Sequence, residues 1–306
     1  MNTAVVAPCT ILLLIDGLGL GPADPALNPV TSGVCPRLQA LLREVAVPVD
    51  ATMGVAGVPQ SATGQTALLT GVNTARRCGR HVAGFPGRVL REVLSSGTLY
   101  DHLAGLGFVC TFANAYYVSD VDEVRQHRRQ SVTTVAALQA FGRVRDTRAL
   151  LRNEAVYHDL TRLSLRDRGY AGPLISPAEA AAHLMALARR HDLTLFEYFQ
   201  TDRAGHAGDA AEIARVLGEL DRFLAALLEG WREPPALLVL CSDHGNIESG
   251  NSTSHSLCPV PFVALGHGAH ALRARVKSVL DVTPALVALY GRGVAQRGGH
   301  GKQSGT

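Results

Sequence analysis

The segment CSDHGNIE, followed after a short polar loop by TSHSLCPVPF, sets Asp243, His244 and His255 close together directly after an apolar run. Carboxylate oxygens and imidazole nitrogens are ligands that zinc and manganese share, and the end of a strand offers them to a crevice rather than to a core. Three further segments repeat this construction. In TILLLIDGLGLG, Thr10 to Ile15 reads as a buried strand and Asp16 follows at once, ahead of glycines; an acid there is costly unless something pairs with it. In LTLFEYFQTDRAGH, Leu193 to Phe199 reads as strand, and Asp202 and His206 follow four apart, so that a helical turn would set both on one face. In GVPQSATGQTALLTG, Ser61 follows Pro59 and opens a small-residue, helix-compatible segment that ends at Thr70-Gly71. A hydroxyl at a helix N-terminus faces unpaired N–H groups and the positive end of the dipole, which suits a nucleophile or a phosphate.

Taken singly, each has an ordinary explanation: Asp16 a turn acid, Asp202 or Ser61 a helix N-cap, His206 an exposed side chain. Together they supply three Asp, three His and one Ser at strand ends, enough for a binuclear metal site.

The order Asp16, Ser61, Asp202/His206, Asp243/His244, His255 resembles the alkaline phosphatase superfamily. The phrases LLLIDGLGLG, DHGNIE, SHSLCPVPF and SVLDVTPALVALYG are most similar to its cofactor-independent phosphoglycerate mutase and phosphopentomutase branch, and they run from residue 10 to about 291. The resemblance implies two divalent ions, manganese or zinc. One would be held by Asp202, His206 and His255, the other by Asp16, Asp243, His244 and the nucleophile oxygen.

Ser61, Thr63 and Thr66 all offer hydroxyls for that role. In the superfamily's nucleophile segment a Thr-Gly pair often closes the helix nine and ten residues on, and Thr70-Gly71 stands at that distance from Ser61. Ser61 is therefore the first choice and Thr66 the second. Sulfatases of the superfamily end this segment in a similar LLTG, but the context that converts their nucleophile has Pro or Ala two places on and Arg four places on. Here Thr63 and Gln65 occupy those places, so conversion of Ser61 is not expected.

The chemistry so implied is attack by a serine alkoxide on phosphorus, then cleavage of the phosphoserine by water, giving hydrolysis, or by a substrate hydroxyl, giving transfer. The mutases of that branch carry a far longer second domain soon after the nucleophile segment, and nothing of that size fits between Ser61 and Asp202. The expectation is a metal-dependent phosphatase or phosphodiesterase acting on a small-molecule phosphate ester. The alternatives are a phosphomutase and a catalytically silent metal-binding protein. Phosphate oxygens need donors, for which arginine is the usual choice. NTARRCGRHVAGFPG offers Asn73, Arg76, Arg77, Arg80 and His81, unless this is simply a solvated basic loop.

Around these residues, apolar runs at 10–15, 107–112, 193–199, 235–241 and 261–265 alternate with helical patterns, the clearest over 208–229. That alternation predicts an α/β fold with a mostly parallel central sheet covered by helices on both faces, whose ligands gather beyond the carboxyl ends of the strands. A single domain over 1–291 is expected. Within it, 118–175 is arginine-rich and helical in pattern: a small lid over the crevice, or a pair of surface helices with solvated arginines. Residues 292–306 read as a flexible Gly-rich tail.

A chain of 306 residues, 47% hydrophobic and 18% charged, can bury one large core. A net charge of only +3, with basic residues spread along the chain, does not indicate nucleic-acid binding. Cys9, Cys35, Cys78, Cys110, Cys241 and Cys258 form no C-x-x-C pair and read as reduced thiols of a cytoplasmic protein. Val5 to Leu14 is apolar, but no basic residue precedes it and Asp16-Gly17 interrupts it where a signal-peptide cleavage site would fall, so it is read as the first strand. No other segment is long enough to span a membrane. Oligomeric state is left open.

Overall fold

Six runs become the strands of one sheet: β1 (Cys9–Ile15), β2 (Val47–Val49), β3 (Cys110–Phe112), β4 (Leu193–Tyr198), β5 (Ala236–Cys241) and β6 (Val260–Gly266). The structure is a computed structural model that describes residues 7–250 and 252–299, with side chains in the last helix as far as Arg292. The strand order is β2-β6-β5-β1-β4-β3. β3, β4, β1 and β5 run parallel, as expected. β6 instead lies antiparallel to β5, and β2 antiparallel to β6. The reason lies in the connection: a parallel partner needs a crossover element, whereas the 242–259 loop turns back without a helix among its described residues. β2 has no counterpart among the expected strands. It is three residues long with Pro48 at its centre, a composition that belongs on a sheet edge.

Strand alternation divides the interior in two. Leu12 and Leu14 of β1, Leu193 and Leu195 of β4, and Val239 and Cys241 of β5 share one core with Leu68, Leu69 and Leu286. Ile11, Leu13 and Ile15, with Phe196, Tyr198, Leu238 and Leu240, share the other with Leu184, Leu217, Leu220 and Phe223. The helix expected over 208–229 runs Ala210–Gly230 and buries its Ile213, Val216, Leu217, Leu220, Phe223, Leu224, Leu227 stripe on this second face.

The 118–175 segment does not behave as one unit. Its helix Val132–Phe141 contributes Val132, Val135, Ala136 and Ala137 to the first core, so it covers the sheet, and its Thr133 donates to Glu197 of β4. Farther along, Ala149, Leu150, Ala155, Tyr157, Leu165 and Tyr170 form a small separate cluster. Two of its arginines are internal struts. Arg162 is 2% exposed and donates to Asn153 Oδ1, Leu150 O and Tyr170 OH, and Arg145 donates to Phe112 O, Glu154 O and Thr111 Oγ1.

The final helix, Val282–Gly299, continues beyond the tail boundary expected at 292, while 300–306 lie outside the described residues. Among the described residues no helix is long and apolar enough to cross a membrane.

Candidate metal centre

Because β4, β1 and β5 are neighbours, their carboxyl ends lie side by side, at strand spacings of about 4.8 Å. Asp16 follows the last residue of β1. Asp243 and His244 follow β5, and Asp202 and His206 sit one turn apart on the helix Gln200–Ala207 that follows β4. Ser61 begins the helix Ser61–Thr70, which lies over the first core and ends at Gly71 in the left-handed conformation. His255 comes from the loop into β6.

All seven residues meet. His244 Nε2 stands 2.9 Å from Ser61 Oγ, 3.1 Å from Asp16 Oδ1 and 3.6 Å from Asp243 Oδ2. His206 Nε2 is 3.4 Å from Asp202 Oδ2 and 2.9 Å from His255 Nε2, which is 3.3 Å from Asp202 Oδ1. The two groups touch where the His244 and His255 rings stack, 3.7 Å between centroids. Atoms of Asp202, His244 and His255 also lie within 4.8 Å of one another, so His244 borders both groups. Burial is graded across the site: the His244 side chain is 0% exposed and that of His206 47%, so solvent reaches the centre from the His206 side.

The surroundings turn each imidazole one way. Nδ1 of His206 is 2.7 Å from Thr253 O, that of His255 3.0 Å from Pro59 O, and that of His244 3.4 Å from Gly245 O. A carbonyl only accepts, so each Nδ1 donates and leaves Nε2 free as a ligand. Two such nitrogens facing each other, as in His206 and His255, need a cation or a proton between them. Asp243 Oδ2 is buried without a hydrogen-bond partner, and buried Asp16 Oδ1 has only the His244 nitrogen, 3.1 Å away. Divalent cations fit this donor set in both groups.

The electrostatics agree. Burial first, and then the Asp243 charge, hold the Asp16 carboxyl well above its ordinary range; burial and the Asp202 charge raise Asp243. Burial opposes a charge on His244, but the Asp243 and Asp16 carboxylates outweigh it and push the imidazole up to about 10. At Asp202 burial is likewise outweighed, chiefly by the His255 hydrogen bond and the His244 charge, and the carboxyl falls to about 2.

Among the three hydroxyls only Ser61 is directed into the centre. Gln60, not Ser61, occupies the N-cap position. Thr66 Oγ1 donates back to Ala62 O at 2.6 Å and Thr63 Oγ1 to Gln60 O at 3.1 Å, both within the helix wall. The helix approaches the ligands through Gly64, where an added Cβ would stand 2.8 Å from Asp243 O and 3.0 Å from Asp243 Cβ. Gly64→Ala is therefore expected to displace Ser61 from His244, lowering turnover by about 10- to 100-fold and stability by about 1–3 kcal/mol. Steady-state kinetics and denaturant unfolding check both, and unchanged turnover would mean that this approach does not set the Ser61 position.

Among the described residues no hydrogen bond or ion pair joins the phosphate-binding candidates to this cluster. Asn73 caps the helix Thr74–Cys78, accepting from Arg76 N at 2.9 Å and donating to Met53 O at 2.8 Å. Arg76, Arg77 and Arg80 are exposed, and His81 Nε2 lies 3.2 Å from Val55 O.

Several supporting residues escaped the sequence reading. Gln65 donates to Asp16 Oδ2 at 3.1 Å, and Asn246 donates to Asp202 Oδ1 at 2.7 Å. Glu248 accepts from Gly19 N and Asn246 N, each at 2.8 Å, fixing the loops that carry Asp16 and Asp243. Glu197, inside β4, accepts from Thr133, and burial pushes its carboxyl up to about 7. Its signal was available, since an acid inside the apolar run LTLFEY carries the same cost that singled out Asp16.

The 2,3-bisphosphoglycerate-independent phosphoglycerate mutase of Cereibacter sphaeroides (strain ATCC 17025) is 32% identical over 127 residues, 39% of this chain. The matched segment covers only 25% of that protein's length. Similar in fold are the alkaline phosphatase of the Antarctic bacterium TAB5, with TM-score 0.56 and 13% identity over 94% of this chain and 99% of that one, and the PH0037 protein of Pyrococcus horikoshii, with TM-score 0.56 and 16% identity over 94% and 98%. A model of the Metalloenzyme superfamily matches residues 9–291. Since that match runs from the start of β1 into the final helix and takes in both ligand groups, the chain belongs to the Metalloenzyme superfamily.

Proposed function

We propose that the protein is a binuclear metal-dependent phosphohydrolase that cleaves a small-molecule phosphate ester through a phosphoserine on Ser61. The observation that carries this reading is the 2.9 Å contact between Ser61 Oγ and His244 Nε2, with Asp16 Oδ1 3.1 Å from the same nitrogen. It sets a hydroxyl at a helix start inside a carboxylate and imidazole cluster. Manganese or zinc, held by Asp202, His206 and His255 and by Asp16, Asp243, His244 and Ser61, would lower the pKa of the hydroxyl and offset phosphate charge.

Ser61 gives up its proton and Oγ attacks phosphorus; the ester P–O bond breaks and the leaving alcohol departs with a proton. Water then cleaves the Oγ–P bond, restoring the hydroxyl and releasing inorganic phosphate. The N-terminus of the helix Ser61–Thr70 favours negative charge on Oγ throughout. The reading takes the protein as a cytoplasmic enzyme of small molecules, with no role for nucleic acid or membrane.

Phosphomutase chemistry is the second reading, favoured by the identity to phosphoglycerate mutases. A panel of labelled phosphate monoesters and diesters, run with manganese and with zinc, separates the two. Hydrolysis releases the label of a monoester to solution as inorganic phosphate and that of a diester as the monoester. Label that returns to another hydroxyl of the same carbon skeleton would replace hydrolysis with transfer, and no turnover on any ester would leave a metal-binding protein without this activity.

A further inference from the structure

Beside the metal centre lies a cavity of about 300 Å³ that takes no part in the ligand geometry. Glu197 is in its lining, and Asp16 N donates to the carbonyl of the next residue, Tyr198, at 2.9 Å. Phe199, in the lining as well, ends the β4 run just before the helix that carries Asp202. The cavity is therefore at the carboxyl end of the sheet, adjoining the ligands.

Its walls are aromatic. Tyr157, His158 and Phe199 form a ladder with ring centroids 4.2 and 4.5 Å apart, and Gln200 Nε2 fixes the middle ring through His158 Nδ1 at 2.7 Å. Phe85, from the segment after the helix Ser61–Thr70, lines the same cavity and is 47% exposed, although phenyl rings gain by burial. The charged lining residues are Arg129 and Arg168 against one carboxylate, Glu197. Arg168 is set in place: its guanidinium lies 5.6 Å from the Tyr117 ring centroid and Nη2 donates to Tyr117 O at 3.0 Å. Arg129 is exposed and makes no ion pair among the described residues.

We infer that this cavity binds the organic half of the substrate, a planar ring carrying a second acidic group, with the aromatic side chains on the ring and Arg129 and Arg168 on the acid. Aromatic faces stack on a flat ring, and guanidinium groups match a carboxylate or phosphate in planar, two-pronged contact. An alkyl group would leave the aromatic walls without a stacking partner, and a ring without an acid would leave both arginines without an anion. The volume, at the lower end for ligand pockets, suits a single substituted ring. The assignment of this ring as the leaving half of a phosphate ester rests on the phosphohydrolase reading; the ring and acid specificity rests on the cavity alone.

The test uses the full chain loaded with manganese and three esters: 4-carboxyphenyl, phenyl and ethyl phosphate. Arg129→Ala is expected to raise KM about tenfold more for the carboxyphenyl ester than for the phenyl ester, the loss of one charged hydrogen bond. Phe85→Ala is expected to raise KM for both aryl esters more than for ethyl phosphate. Binding of 4-hydroxybenzoate, followed by calorimetry, needs no turnover, and its Kd is expected to weaken about tenfold in Arg129→Ala. Equal effects on all three esters, or a 4-hydroxybenzoate Kd that ignores Arg129, would overturn the cavity assignment. Arg129-dependent binding without hydrolysis of any ester would uphold the cavity and remove the phosphohydrolase reading.

Discussion

Ser61→Ala is expected to lower kcat for phosphate-ester hydrolysis by about 10³-fold or more while leaving the protein folded. The loss is large because no other hydroxyl can take over. Thr63 and Thr66 are bonded back to carbonyls of their own helix, and Ser61 alone points to His244 Nε2. The fold is spared because Ser61 caps nothing. It is the first residue of the helix, after the N-cap Gln60, and alanine is a good helix former there. Thermal unfolding of the variant should stay within about 1 kcal/mol of the parent, in keeping with a partly exposed position outside the core. A variant that folds and still turns over at the parent rate would remove the covalent route.

The second large effect is on stability. A cation that binds only the folded chain stabilises it by about 2.7 kcal/mol per site at a hundredfold excess over Kd. For two sites in a chain of this size, saturating manganese or zinc should raise Tm by on the order of 10 °C. Asp243→Asn should remove roughly half of that gain, since Asp243 belongs to one group only. In chelated protein the same substitution is expected to be neutral or stabilising. Asp243 is fully buried, its Oδ2 has no hydrogen-bond partner, and it faces the Asp16 and Asp202 charges, so the substitution relieves a burial cost and a carboxylate repulsion that His244 offsets only in part. Calorimetry of both proteins with metal and with chelator reads the two signs together. Equal metal-induced shifts in parent and variant would take Asp243 out of the ligand set.

Asp16, Asp202, Asp243 and His244 were legible because they follow apolar runs, where metal-competent groups are costly without a ligand, while Ser61, His206 and His255 were reached through helix position, helix spacing and the family resemblance. The spatial partition was harder to read. His244 borders both groups because its ring stacks on His255, a contact between the two ends of a loop that no local pattern encodes. Supporting residues escaped for a similar reason. Gln65 is an ordinary helix residue until the helix is laid over Asp16, and Glu248 acquires its role only when Gly19 and Asn246 meet around it. Strand alternation does explain part of the convergence. Asp16, Glu197 and Asp243 continue the phase of Leu12/Leu14, Leu193/Leu195 and Val239/Cys241, so all three fall on the face covered by the helix Ser61–Thr70. The arginines of 118–175 do not act alike: Arg145 and Arg162 bind carbonyls inside the fold, where a count along the chain reads only charge, whereas Arg129 and Arg168 line the cavity at the carboxyl end of the sheet.

The chemistry at Ser61 is open to direct capture. Protein loaded with manganese, mixed with a labelled aryl phosphate and quenched in acid during turnover, is digested and its peptides are analysed by mass spectrometry. Phosphate on Ser61, absent when the quench follows exhaustion of the ester, is the predicted result. Continued release of phosphate with Ser61 unmodified at every quench time, or phosphate on another residue, would contradict it.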